Sequence, residues 1–203
     1  MKIICIGRNY RKHAEEMRQQ VPAQPLFFMK PETALIRADL PFFCPDFSEN
    51  IHYEAELVLR ICRLGKNIQP RFARNYYNAV AVGIDFTARD LQQECISKGQ
   101  PWEIAKAFDG SAAVSPFVPL NELRDPDDIV FSLRLNSNTV QQGRSSEMVN
   151  GFDRLIAHIS KYVTLKIGDY LFTGTPAGVG QVTAGDKLEL FLEDKYMLAV
   201  DIK

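Results

Sequence analysis

Ile51-His52-Tyr53-Glu54-Ala55-Glu56-Leu57-Val58-Leu59-Arg60-Ile61 is the stretch whose reading decides the fold. Side chains alternate faces along a strand. Ile51, Tyr53, Ala55, Leu57, Leu59 and Ile61 therefore form one apolar face, and Glu54 and Glu56 sit side by side on the other. Two residues of strand hold the two acids roughly 6.6 Å apart. At that separation they repel by about 2.5 kcal/mol for an effective dielectric of about 20. A cation between them reverses the sign of that interaction.

The run Ala79-Val80-Ala81-Val82-Gly83-Ile84-Asp85 reads as a strand buried on both faces, with Asp85 at its C-terminal end. Three carboxylates on adjoining strands make a hard, oxygen-rich site suited to Mg²⁺ or Mn²⁺. No cysteine or histidine spacing competes for a softer metal. The plainer reading places Glu54 and Glu56 on a solvated strand face and lets Asp85 cap the next helix.

The 203 residues carry a net charge of −1 and are 46% hydrophobic and 24% charged, an ordinary globular balance. That balance gives no electrostatic case for nucleic acid or a membrane surface. No apolar segment approaches the roughly 18 residues of a membrane span. The strand-like Lys2-Ile3-Ile4-Cys5-Ile6 begins almost at once, so no signal or transit peptide is expected. Cys5, Cys44, Cys62 and Cys95 lack paired zinc spacing and read as the reduced thiols of a cytoplasmic protein.

Further strands are expected at 26–30, 113–118, 129–136, 139–142, 170–173, 187–191 and 198–202, the last two closing the sheet. Thr87-Ala88-Arg89-Asp90 matches a capping box and predicts a helix running to about Gly99. Pro70 to Tyr77 reads as helical. Asn150 to Tyr162 reads as an amphipathic helix with Phe152, Leu155, Ile156 and Ile159 on one face. Strands outnumber helices without regular alternation, which predicts an α+β fold with a large mixed sheet in a single domain over residues 1–203. Gly174 to Gly180 fits neither phosphate-loop spacing nor a dinucleotide fingerprint, and reads as a glycine turn between strands.

Seven segments in order carry a resemblance. They are Gly7-Arg8-Asn9-Tyr10, the pair His13 and Glu16, Phe28-Met29-Lys30-Pro31, Glu54-Ala55-Glu56-Leu57, Asp85-Phe86-Thr87-Ala88-Arg89-Asp90, Lys106-Ala107-Phe108-Asp109 and Thr173-Gly174-Thr175-Pro176. On these the chain resembles the fumarylacetoacetate hydrolase superfamily, in its short branch of acylpyruvate hydrolases and oxaloacetate decarboxylases. The resemblance implies a mixed β-roll, a divalent metal on Glu54, Glu56 and Asp85, and a homodimer. It implies an α-keto acid substrate, and a lid within residues 1–45.

Within that resemblance each residue takes an expected role. His13 and Glu16, three apart on a helix, form a base pair that activates water. Lys106 stabilises the enolate oxygen. Arg89 grips a carboxylate, helped by Gln92, Lys30 and Thr175. A surface histidine with a neighbouring acid, a snorkelling lysine and a surface arginine are the plainer alternatives. The expected activity is metal-dependent hydrolysis of the C–C bond of acylpyruvates, with oxaloacetate decarboxylation beside it. An isomerase or tautomerase of a related 2-oxo dioate and a non-catalytic metal-dependent binding protein are the rivals. Asn136-Ser137-Asn138 stands where the family usually has Asn-Gly, which puts the tight hairpin turn in doubt.

Overall fold

A computed structural model of the chain describes residues 1–37 and 40–203. In chain order the strands are β1 (Ile3–Gly7), β2 (Leu26–Lys30), β3 (Ile51–Tyr53), β4 (Ala55–Ile61), β5 (Tyr77–Asp85), β6 (Thr87–Ala88) and β7 (Ala112–Val114). They continue with β8 (Val118–Pro119), β9 (Val130–Leu135), β10 (Asn138–Arg144), β11 (Tyr170–Phe172), β12 (Gly180–Gln181), β13 (Lys187–Leu192) and β14 (Lys195–Asp201). The helices are α1 (Arg11–Glu16), α2 (Arg89–Lys98), α3 (Glu103–Lys106) and α4 (Phe152–Ile159).

The largest described sheet runs β2-β1-β11-β4-β5-β7, with β8 also on β5. Only β1 and β11 pair in parallel there, so the sheet is mixed. β5 is apolar from Ala79 to Ile84 because both its faces are covered there. Val80, Val82 and Ile84 enter the larger apolar cluster, while Ala81 enters a smaller one with Cys5, Val58 and Phe172. Leu57 and Leu59 follow the first pattern and Val58 the second. Each such buried leucine contributes about 1.5–3 kcal/mol. Short helices and a curled mixed sheet are the α+β roll expected from the sequence.

Three local expectations need correction. The stretch 51–61 is two strands, not one. β3 pairs with β6 and β12 in a three-stranded sheet, whereas β4 lies between β11 and β5. Glu54 is the residue between them. Thr87 is no helix cap: it belongs to β6, and Ala88 precedes α2 without a side-chain cap. Asp90 instead accepts hydrogen bonds from the Ser48 hydroxyl at 2.6 Å and the Leu91 N–H at 2.8 Å. β13 and β14 do not close the large sheet but form a second one, β10-β9-β13-β14.

The β9–β10 hairpin keeps its two-residue turn. Asn136 and Ser137 both have positive φ, 49° and 71°, and Leu135 pairs with Asn138. Those signs are the type I′ turn that Asn-Gly usually makes. α4 buries Leu155, Ile156 and Ile159 against the core and packs on the 3₁₀ turn Pro70–Tyr76. Among the described residues no helix is long and apolar enough to cross a membrane.

Candidate active site

Glu54, Glu56 and Asp85 each place a carboxylate oxygen within 4.8 Å of the others, all buried. The topology accounts for this meeting. β4 and β5 are antiparallel neighbours with Ala55 opposite Ile84, and the Asp85 N–H donates to the Glu54 carbonyl at 2.9 Å. Three cations face the acids. Arg89 Nη2 lies 2.5 Å from Glu54 Oε1. Lys106 Nζ lies 2.9 Å from both Glu54 Oε2 and Asp85 Oδ2, and 2.6 Å from the Thr87 hydroxyl. Lys30 Nζ lies 2.7 Å from Asp85 Oδ1.

The acids respond unequally. Burial disfavours the Glu54 anion, but the charges of Lys106 and Arg89 outweigh it and hold this carboxyl well below the usual range. Glu56 has no cation directly on it. Burial, then the charges of Asp85 and Glu54, push its carboxyl well above the usual range, against one 2.6 Å hydrogen bond from the Gly174 N–H. Burial disfavours the Lys106 ammonium, yet Asp85 and Glu54 raise its pKa. Cys5, in the same setting, is pushed well up by burial and then by Asp85, so it stays a thiol.

The donor set fits a divalent cation. It is all carboxylate oxygen, and Asp85 Oδ1 is buried with no hydrogen-bond donor, its contact with Lys30 being off the hydrogen-bond direction. Glu54, Glu56 and Asp85 would hold the ion.

Helix α1 and the glycine-rich turn flank the site. His13 and Glu16 share one face of α1, with His13 Nδ1 3.2 Å from Glu16 Oε2. The Gly178 N–H donates to Glu16 Oε1 at 3.0 Å and so ties α1 to the glycine-rich turn. Gly178 has φ +100°, and a Cβ there would collide with the Val140 carbonyl. Gly174 has φ +100° as well, and its Cβ would meet that of Asn9 at 2.7 Å. Both positions need glycine.

One cleft is lined by His13, Glu54, Asp85, Arg89, Lys106 and Thr175, with Gln92 beside them. Arg89 Nη1 donates to Gln92 Oε1 at 2.6 Å, so these two act as a unit. Lys30 does not line the cleft. Its ammonium is fully buried and is used by Asp85, the Ser111 hydroxyl and carbonyl, and the Lys106 carbonyl. It holds Asp85 rather than presenting a donor to a substrate.

Two residues at this site had no role readable from the sequence. Gln141 accepts the Ala55 N–H at 2.9 Å and donates to the Thr175 hydroxyl and the Pro176 carbonyl, both at 2.9 Å. It couples β4 to the glycine-rich turn. Arg8, in the first of the seven segments, lies on the same cleft with φ +58° and its guanidinium 5.8 Å from the centroid of Trp102. That backbone conformation costs an L residue of order 1 kcal/mol, and local spacing gives no sign of it. His52 turns to Asn50, 2.8 Å away, and burial followed by the Arg89 charge lowers its pKa to about 4. His158 packs against Phe27 and Tyr162.

Comparison with known proteins covers nearly the whole chain. The profile "Fumarylacetoacetate (FAA) hydrolase C-terminal" matches residues 2–202. The mouse protein "Oxaloacetate tautomerase FAHD1, mitochondrial" is 37% identical over 201 residues, spanning 99% of this chain and 91% of its own. "Oxaloacetate tautomerase YcgM" of Escherichia coli K12 is 41% identical over 188 residues, spanning 92% and 86%. The crystal structure of fumarylpyruvate hydrolase from Pseudomonas aeruginosa, in complex with Mn²⁺ and pyruvate, superposes with a TM-score of 0.93 at 34% identity. It covers 100% of this chain and 89% of its own.

Proposed function

This chain belongs to the fumarylacetoacetate hydrolase family of enzymes, and from that premise we propose that it is a divalent-metal-dependent enzyme converting 2-oxo acids through their enolates. The observation that carries the reading is the buried Glu54, Glu56, Asp85 cluster beneath the His13–Glu16 pair. A divalent cation on the three acids supplies Lewis-acid stabilisation for negative charge developing at the 2-oxo oxygen. The relatives' names favour keto–enol interconversion of an oxaloacetate-like acid.

The protein's own groups divide the remaining work. His13 accepts a proton from the carbon next to the 2-oxo group, the C–H electron pair becomes the C=C bond of the enolate, and the carbonyl π pair moves onto the 2-oxo oxygen. Glu16, on Nδ1, orients the ring and stabilises the imidazolium. Lys106 sits where it can donate to the enolate oxygen, and returning the proton to that oxygen gives the enol. Arg89 with Gln92 faces the cleft with donors for the substrate carboxylate. The Thr175 hydroxyl, held by Gln141, faces the same space.

C–C hydrolysis is the second reading. It is favoured by the His13–Glu16 geometry, which also suits deprotonating water for attack on a distal carbonyl. Bond cleavage then leaves the same 2-oxo acid enolate, to be protonated on carbon. Metal-stripped protein, assayed with and without Mg²⁺ or Mn²⁺, separates the two. Metal-restored loss of the enol absorbance of oxaloacetate supports the tautomerase, and pyruvate release from acetylpyruvate supports the hydrolase. Inactivity on both removes the reading. His13→Ala should depress tautomerisation and hydrolysis alike, because one base serves both readings; a rate within about twofold of wild type on either substrate argues against that role in it.

The homodimer expectation stands as part of this proposal. Leu40, Phe43 and Phe47 expose 51%, 68% and 50% of their surfaces and are apolar enough to be covered by a second copy. A monomer in sedimentation velocity at micromolar concentration removes it.

A further inference from the structure

We infer that Arg8, seated on Trp102, is the residue that receives the second carboxylate of the oxaloacetate-like substrate proposed above, and so sets the preference over 2-oxo acids with an uncharged tail. The inference rests on the 2-oxo acid reading above and adds the specificity element that reading leaves open.

Charge makes the first argument. Lys30, Lys106 and Arg89 are all taken up by Glu54 and Asp85, and Glu56 has no cation directly on it. Arg8 opens on the same cleft and has no ion pair among the described residues. Its Nε is buried without a hydrogen-bond partner. Burial also lowers its pKa, as expected for a partly desolvated cation with no counter-charge. A divalent ion on the acids makes the pocket more positive still. An anion with charge at both ends answers both excesses.

Shape makes the second argument. Arg8 directly follows β1 and adopts φ +58°, a conformation that non-glycine residues rarely take and that tends to mark functional sites. The guanidinium rests over the Trp102 ring, its centroid 5.8 Å away, and Trp102 in turn lies 5.8 Å from the Phe28 ring. An aromatic shelf fixes the fork while leaving donors free for planar, bidentate contact with a carboxylate. Nothing in hydrolysis or tautomerisation itself requires this cation. It serves recognition of the end of the substrate away from the 2-oxo group.

The chain's single tryptophan is Trp102, so its emission reports on this spot. Malate and lactate are stable 2-hydroxy acids that differ at the tail, a carboxymethyl against a methyl group. Both would be titrated into Mn²⁺-loaded full-length protein, by calorimetry and by Trp102 fluorescence, for wild type, Arg8→Asn and Arg8→Lys. Asparagine tolerates positive φ, and lysine keeps the charge. Wild type should bind malate roughly 10- to 100-fold more tightly than lactate, with a change in Trp102 emission. Arg8→Asn should bring malate down to the level of lactate, leave lactate unchanged and abolish the emission change. Arg8→Lys should recover part of the preference. In kinetics, Arg8→Asn should raise KM for oxaloacetate and spare acetylpyruvate.

A retained malate preference in Arg8→Asn, or equal weakening of both ligands, overturns the assignment. If wild type turns over 2-oxo acids yet shows no malate preference, Arg8 alone is misassigned. If wild type binds neither acid and turns over neither substrate, the 2-oxo acid reading falls and this inference with it.

Discussion

Glu54 and Glu56 stand two residues apart and ionise in opposite directions, because Glu54 faces Lys106 and Arg89 whereas Glu56 faces burial and two other acids. A raised carboxyl pKa favours the protonated form in the fold. That contribution is present below the unfolded carboxylate pKa and is lost as pH rises through the raised value. Metal-free protein should therefore melt at lower temperature as pH rises through that interval. Metal binding should expel the Glu56 proton, so affinity should weaken as pH falls. Calorimetry of Mn²⁺ binding in two buffers of different ionisation enthalpy should give release of about one proton per ion; buffer-independent heats would contradict it. Lys106→Met strips Glu54 and Asp85 of a shared ammonium. It should cost metal-free protein roughly 3–5 kcal/mol, and denaturant melts should show much of that loss restored by Mn²⁺. The two-residue spacing of Glu54 and Glu56 and the buried strand ending at Asp85 made the acids legible, whereas His13 and Glu16 stood out only through the resemblance, since their spacing reads equally as a surface histidine beside an acid. Arg8 and Gln141 were not, since each acts on groups brought near only by the fold.

At the scale of elements, the tie between α1 and the glycine-rich turn depends on a glycine. Gly178→Ala adds a methyl group against the Val140 carbonyl at φ +100° and displaces the N–H that Glu16 accepts. kcat/KM should fall by at least about tenfold, in the range of a lost general-base contribution, while metal affinity measured by calorimetry stays within error. The β9–β10 turn gives a test of opposite sign. Ser137 holds φ 71°, where glycine carries no steric penalty. Ser137→Gly should stabilise the protein by about 0.5–1 kcal/mol in urea melts with activity unchanged. Hairpin, strands and amphipathic helix were readable from periodicity. Thr87 was misread because its hydroxyl is taken by Lys106 at 2.6 Å, a contact that overrides the local capping pattern.

At the scale of the whole molecule, alternation marked Glu54 and Glu56 as one strand face but could not show that the strand divides between two sheets. That division depends on which partners β3 and β4 find, and those lie far along the chain: Thr87 and Gln181 for His52, Ile84 for Ala55. Glu54 thus sits on the joint between two sheets, and Glu56 is fixed within one of them. The arrangement resembles a pair of calipers, in which any change in the angle between the sheets alters the gap between the acids. An ion gripped by both would lock the joint. Hydrogen exchange followed by mass spectrometry should then show slower exchange across β3 and β12 on Mn²⁺ loading, though neither strand lies inside the large sheet. The same lock works in reverse, because loosening the small sheet from the outside lowers ion affinity without altering a single ligand.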